Sequence, residues 1–111
     1  MNIQWMNGCA LISPKDKHLD SITVGRWISS ALIPQAPCIL DLRGGMNVDI
    51  SGLSLIVKHS RRRDHVCALV IDSQSWVESI CDMAQVGELI PVVYTVEDAV
   101  AALAELQGEH T

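Results

Sequence analysis

The chain has no phenylalanine, a single tyrosine and little positive charge, with 8 Lys and Arg against 13 Asp and Glu and a formal net charge of −5. It also has no long apolar run. Each shortage closes off a class of function. A general nucleic-acid role is not expected, because such proteins neutralise phosphates with clustered Lys and Arg. The one basic run, Arg61-Arg62-Arg63, is followed at once by Asp64 and reads as a solvated helix end, favoured by the negative end of the helix dipole. No apolar stretch approaches the ~20 residues that a membrane helix requires. The opening residues MNIQWMNGCALISPKDK lack the basic segment that precedes the apolar part of a signal peptide. The expectation is a cytoplasmic protein with no membrane insertion.

Cysteine spacing excludes more. Cys9, Cys38, Cys67 and Cys81 are far apart, and no pair has zinc spacing; His18, His59, His65 and His110 do not supply the missing ligands. Reduced core thiols are expected instead of disulfides. Nucleotide-binding motifs are missing too: Gly44-Gly45 and Gly52 do not fit GxGxxG, and no Gly-Lys-Ser/Thr follows. Ile50-Ser51-Gly52 is not the GxSxG elbow of a serine hydrolase. Asp41 and Asp49 do not demand acid–base chemistry. Asp41 can be satisfied by backbone amides or Arg43, and Asp49 can cap a helix. The expectation is a non-enzymatic protein without cofactor or metal.

What is present is alternation. A length of 111 residues suits one domain, taken as residues 1–107 with a frayed tail at 108–111. Ile3–Trp5 and Cys9–Ser13 form a first strand, or a hairpin about Asn7-Gly8. Asp20 or Ser21 caps a helix with Val24, Trp27, Ile28 and Ala31 on one face, stopped by Pro34 and Pro37. Cys38–Leu42 is a buried strand. A helix after Ser51 buries Leu53, Ile56 and Val57. Cys67–Ile71 is another buried strand. Ser75 with Glu78 forms a capping box, the helix behind it carries Val77, Ile80, Cys81 and Ala84, and Gly87 terminates it. Pro91–Tyr94 is a last short strand. Thr95 caps a final helix with Val96, Ala99, Val100, Leu103 and Leu106 on one face. Trp5 and Trp27 are assigned to core or hairpin packing, and Trp76 lies off its helix's apolar stripe. Strands alternating with helices predict an α/β domain with a mostly parallel sheet.

The stretch from Cys38 to Lys58, CILDLRGGMNVDISGLSLIVK, concentrates the functional signal. It reads as a strand, a Gly-paired loop, Asp49-Ile50-Ser51-Gly52 and a helix. The loop lies on the rim where α/β folds place their sites. Ser51 falls at the positive end of a helix, where an added phosphate is stabilised. In structural terms alone, Asp49 is an N-cap and Ser51 a first-turn residue.

The segment ILDLRGGMNVDISGLSLIV resembles the signature of STAS domains, above all bacterial anti-sigma factor antagonists. Asp41-Leu42 matches the family's strand end, and Val48-Asp49-Ile50-Ser51-Gly52-Leu53 matches its apolar-Asp-Ser/Thr-Ser-Gly-Leu motif. The likeness continues through CALVIDSQSWVESICDMAQVGELIPVVYTVEDAVAAL and covers about two thirds of the chain well. It implies a four- to five-stranded, mostly parallel or mixed sheet, with about four helices mainly on one side. It also implies partner switching. The serine before the glycine, here Ser51, is phosphorylated by a partner that is both anti-sigma factor and histidine-kinase-like ATPase, and a phosphatase resets it. Asp49, Ile50, Ser51, Gly52 and Leu53 become the partner-binding segment, with Asp49 orienting the loop and Gly52 admitting the partner to the backbone. Two departures stand out. Ile50 replaces the usual Ser or Thr, and Lys17-His18-Leu19-Asp20 only partly matches the usual Gly-x-Leu-Asp phrase. They leave open a STAS module that is never phosphorylated, such as a subunit of an ABC-type transporter or of a signalling scaffold.

Overall fold

Cys38–Asp41 and Cys67–Val70 have almost no polar side chains, and they lie side by side in the interior of a sheet covered on both faces. A computed structural model describes residues 2–6, 8–14, 18–29, 37–45, 47–62 and 67–108. In chain order the elements are β1 (Asn2–Met6), β2 (Cys9–Ser13), β3 (His18–Leu19), α1 (Ser21–Ser29), β4 (Cys38–Asp41), β5 (Asn47–Val48), α2 (Ile50–Arg62), β6 (Cys67–Val70), α3 (Trp76–Met83), a 3-10 turn (Val86–Glu88), β7 (Val92–Val93) and α4 (Val96–Gly108). The protein is an α/β domain on a five-stranded mixed sheet of order β1-β2-β4-β6-β7. β1 and β2 are an antiparallel hairpin, and the remaining pairings are parallel. Gly8, at φ +77°, makes the hairpin turn; its neighbour Asn7 lies outside the described residues.

Side chains alternate across the sheet, and that alternation divides the core. Ala10, Ile12, Cys38, Leu40, Cys67 and Leu69 face α1, α2 and α3, meeting Val24, Leu53, Ile56, Val57, Val77, Ile80 and Cys81. Cys9, Ile39, Ala68 and Val70 face α4, meeting Ala99 and Leu103 with Val96 and Val100 at the margin. Three helices therefore cover one face and α4 the other.

Expected caps are present. Asp20 Oδ1 accepts from the Thr23 amide at 2.7 Å, and Thr95 Oγ1 from the Asp98 amide at 3.1 Å. Ser75 Oγ accepts from the Glu78 amide at 3.2 Å, while Glu78 reaches back to the Gln74 amide at 3.1 Å. Three expectations need correction. Gly87 does not end α3: the helix closes at Ala84, Gln85 takes the left-handed conformation at φ 55°, and Gly87 lies inside the 3-10 turn. Of the two places expected for Trp5, core or hairpin, the core is wrong: it stands on the hairpin opposite Ala10 and is 64% exposed. α4 runs on to Gly108, one residue into the tail assigned to 108–111. The side chains of Trp27 and Ile28, and the positions of Ala31, Pro34, Asp64, His65 and residues 109–111, lie outside the described residues.

All four cysteines are buried, and none forms a disulfide. Cys38 and Cys67 are register partners on β4 and β6, with Sγ atoms 2.9 Å apart. That hydrogen bond, and burial after it, push the Cys38 thiol far above its ordinary range. Burial, with the charges of Asp82 and Glu78, takes Cys81 to about 11. The expected result with a thiol-specific aromatic disulfide at neutral pH is negligible reaction of the folded chain, and four equivalents once denaturant is added. Rapid labelling of the folded chain contradicts this packing.

Candidate functional site

The parallel strands β4, β6 and β7 deliver their following loops to one rim, and of these the connection from β4 to the next helix, residues 42–49, is the longest. It is fastened at both ends. At its start, Arg43 folds back on Asp41: Nε donates to Oδ1 at 2.9 Å, Nη2 to Oδ2 at 3.0 Å and the Arg43 amide to Oδ1 at 3.1 Å. Arg43 therefore neutralises the half-buried Asp41, and this fork holds the Asp41 carboxyl below its usual range. Gly44 and Gly45 follow at φ +92° and +81°, a pair of left-handed residues that side chains would strain. The turn lets the Gly44 amide donate to Asp72 Oδ2 at 2.9 Å, tying this loop to the one after β6.

At its far end the loop becomes β5, which pairs in parallel with β3 as a separate two-stranded sheet. This small sheet is absent from the sequence reading, because two-residue strands have no measurable periodicity. It brings His18 and Asp20 to the site. The Asn47 side-chain amide donates to His18 Nδ1 at 3.2 Å, and His18 Nε2 faces Asp20 Oδ2 at 3.4 Å. One neutral tautomer, with the proton on Nε2, satisfies both contacts.

Asp49 then caps α2. Its Oδ1 accepts from the Gly52 amide at 2.9 Å, the bond expected of an N-cap to the third helical residue. The same oxygen accepts the Ser51 hydroxyl at 2.7 Å. Those two bonds, the Ser51 hydroxyl first, hold the Asp49 carboxyl below its usual range despite the nearby Asp20. A carboxylate so stabilised is a weaker base than an ordinary one. The pair presents an exposed hydroxyl whose proton is engaged by Asp49.

The five motif residues do not share one surface. Asp49, Ile50 and Ser51 are exposed, Gly52 is buried, and Leu53 is 1% exposed within the main core. Gly52 and Leu53 are thus withdrawn from the surface of the free chain, Leu53 into the core with Ile56 and Val57. The accessible segment is Asp49-Ile50-Ser51. One turn along α2, Ser54, Val57 and Lys58 line a groove of about 180 Å³ completed by Ala84, Val86 and Leu89. Trp76 and Tyr94 are also exposed, and the Tyr94 hydroxyl donates to Glu78. Among the described residues no group of three or more His, Cys, Asp or Glu is placed to hold a metal, and no helix is long and apolar enough to cross a membrane.

The caps make stability acid-sensitive. Asp20, Asp41 and Asp49 all sit below their ordinary values, Asp20 chiefly through the Thr23 amide. The unfolded chain therefore binds more protons than the folded one in acid. Their stabilisation is complete above the unfolded value of about pH 3.9, and is lost as pH falls from there through the depressed folded values. The expected urea midpoint is flat from near neutral down to mild acid and drops steeply below about pH 4. Asp49→Asn, whose amide oxygen still caps, keeps the neutral midpoint and loses part of the acid drop. A drop of unchanged size in that variant assigns the acid transition to other groups.

No protein-family model matches the chain, and neither a curated protein nor a solved structure does.

Proposed function

We propose that the chain is a STAS domain acting in the cytoplasm as an anti-sigma factor antagonist, with Ser51 as phosphate acceptor. The observation that carries this reading is the pairing of Ser51 with Asp49 on an exposed helix start, at the rim of a mixed sheet. In the proposed cycle the unphosphorylated chain binds a histidine-kinase-like ATPase that otherwise holds a sigma factor. The kinase moves the γ-phosphoryl of ATP to Ser51 Oγ: a new O–P bond forms, the β–γ bridge breaks, ADP leaves, and the hydroxyl proton passes to a base of the kinase. The modified chain is released, and a phosphatase restores it by hydrolysis.

The test is affinity capture from the native host with wild type and Ser51→Asp, followed by intact mass of the recovered wild type. The expected result is an ATPase captured by wild type alone, and a fraction of chain heavier by one phosphate. A second reading rests on Ile50, whose exposed apolar side chain stands where the family pattern has a hydroxyl. It is a constitutive STAS subunit of an ABC-type transporter or a signalling scaffold. Its signature is a complex retained equally by both proteins, with no phosphate, and that outcome rejects the switch.

A further inference from the structure

β1 is an outer strand of the five-stranded sheet, and among the described residues nothing pairs with its far side. Half of its backbone donors and acceptors therefore point away from β2, as at any sheet edge. Natural edges are commonly blunted by charge, proline, a bulge or extreme shortness. β7, at the other edge, is two residues long. β1 has no such device. Its five residues, Asn2-Ile3-Gln4-Trp5-Met6, include no charge, no proline and no glycine, and all five pair with β2 in unbroken register.

The exposed side chains have a definite placement. Ile3 is the register partner of Ile12, and Trp5 of Ala10, so both stand on the three-helix face of the sheet. Ile3 is 36% exposed and Trp5 64% exposed. The main core layer thus continues past β2 and ends in two large apolar side chains open to solvent.

We propose that β1 is a self-association edge, to which a second copy of this chain adds its own β1 in antiparallel pairing across a two-fold axis through Gln4. The strand's order of residues is what selects this occupant. Pairing about Gln4 sets Ile3 opposite Trp5 of the second copy, and Trp5 opposite its Ile3. Both are β-branched–aromatic pairs, a favourable cross-strand combination, and both fall on one face because their positions share parity. Gln4 meets Gln4 on the other face, amide to amide. The three-helix faces of the two copies then lie on the same side, and their apolar layers join. Each copy's charge of −5 opposes association, but β1 contributes no charge to it. The contact is isologous, so it closes at two copies and does not propagate.

The test is sedimentation velocity of the full chain over a concentration series, with variants that read the register. Position 3 faces position 5 of the other copy. Ile3→Lys with Trp5→Lys opposes like charges at both pairs, and Ile3→Lys with Trp5→Glu opposes unlike ones. The expected result is a wild-type dimer that forms with concentration, association at least tenfold weaker in the all-lysine variant, and recovery in the charge-paired one. Both positions are exposed, so far-UV circular dichroism should match wild type throughout. Gln4→Cys gives an independent reading that leaves the apolar pairs intact. Position 4 faces itself at the ~4.5–5.5 Å of opposed strand residues, within disulfide range, so oxidised glutathione should link two copies there. A wild type that stays monomeric through the series overturns the proposal. So does a dimer unaffected by the all-lysine variant, or linkage at Gln4→Cys no greater than at Ser54→Cys.

Discussion

Ser51→Asp should weaken binding to the proposed ATPase partner by two to three orders of magnitude while leaving the melting temperature near that of wild type. The two halves of this result have different causes. In the fold, position 51 is the second residue of α2 after the Asp49 cap, where the helix dipole favours negative charge. The lost hydroxyl bond to Asp49 and the new repulsion from its carboxylate offset that gain, so little net change is expected. At an interface closed over Ser51 nothing offsets the charge. An unpaired charge buried there costs roughly 3–4 kcal/mol, and each 1.4 kcal/mol is about a factor of ten. Titration calorimetry with the purified partner reads the first half and thermal denaturation the second. Ser51→Ala is the control, binding like wild type but accepting no phosphate. A Ser51→Asp chain that binds at full strength reduces Ser51 to a first-turn residue.

Phosphoserine shares with this mimic the loss of the hydrogen bond to Asp49, and it adds more charge. The Ser51 hydroxyl reaches Asp49 as a proton donor at 2.7 Å. A phosphoester oxygen has no proton to give, and the phosphate carries about −1.5 to −2 charges. Two anions cannot keep that separation, so modification must break the Ser51–Asp49 bond and turn the side chain away. Asp49 retains its other bond, to the Gly52 amide, and the cap survives. The change is confined to the exposed surface that a partner would read.

How much of this was legible beforehand follows from the range of the interactions involved. Caps are local, and Asp20, Asp49, Ser75 and Thr95 all announce themselves within four residues. Buried strands announce themselves by composition, as Cys38–Asp41 and Cys67–Val70 do. The core face of α2 follows from the spacing of Leu53, Ile56 and Val57. What periodicity cannot carry is the pairing of very short strands. β3 and β5 have two residues each and are joined across nearly thirty positions of sequence, so the approach of His18 and Asp20 to Asp49 has no local signal. The tie from Gly44 to Asp72 is equally long-range. The end of α3 departs from the local signal for the opposite reason: the left-handed position falls not on Gly87 but on Gln85, two residues earlier. The motif is contiguous on a helix and so necessarily has an inward side, on which Leu53 lies.

Leu69→Ala should be among the most damaging single substitutions in the fold. Leu69 is fully buried on β6, an interior strand, with Leu40 beside it on β4 and Val92 on β7. Its backbone is fixed by the sheet ladder, with its amide donating to the Pro91 carbonyl at 2.9 Å, so the strand cannot collapse into the space that the side chain leaves. A rigid site of this kind retains its cavity, and such truncations cost about 2–5 kcal/mol. Total stabilities of natural domains are only about 5–15 kcal/mol, so the loss is a large share of what holds the fold. The urea midpoint should fall by about 1 M or more with little change in slope, since the area exposed on unfolding is almost the same. Val70→Ala is the informative comparison. Val70 is just as buried but faces the smaller layer under α4, and it loses fewer atoms. A cost for Val70→Ala equal to that of Leu69→Ala would mean that the α4 face, not the three-helix face, holds the sheet together. A midpoint barely moved by Leu69→Ala would mean that the helices close over the gap, and that the core is more compliant than its burial indicates.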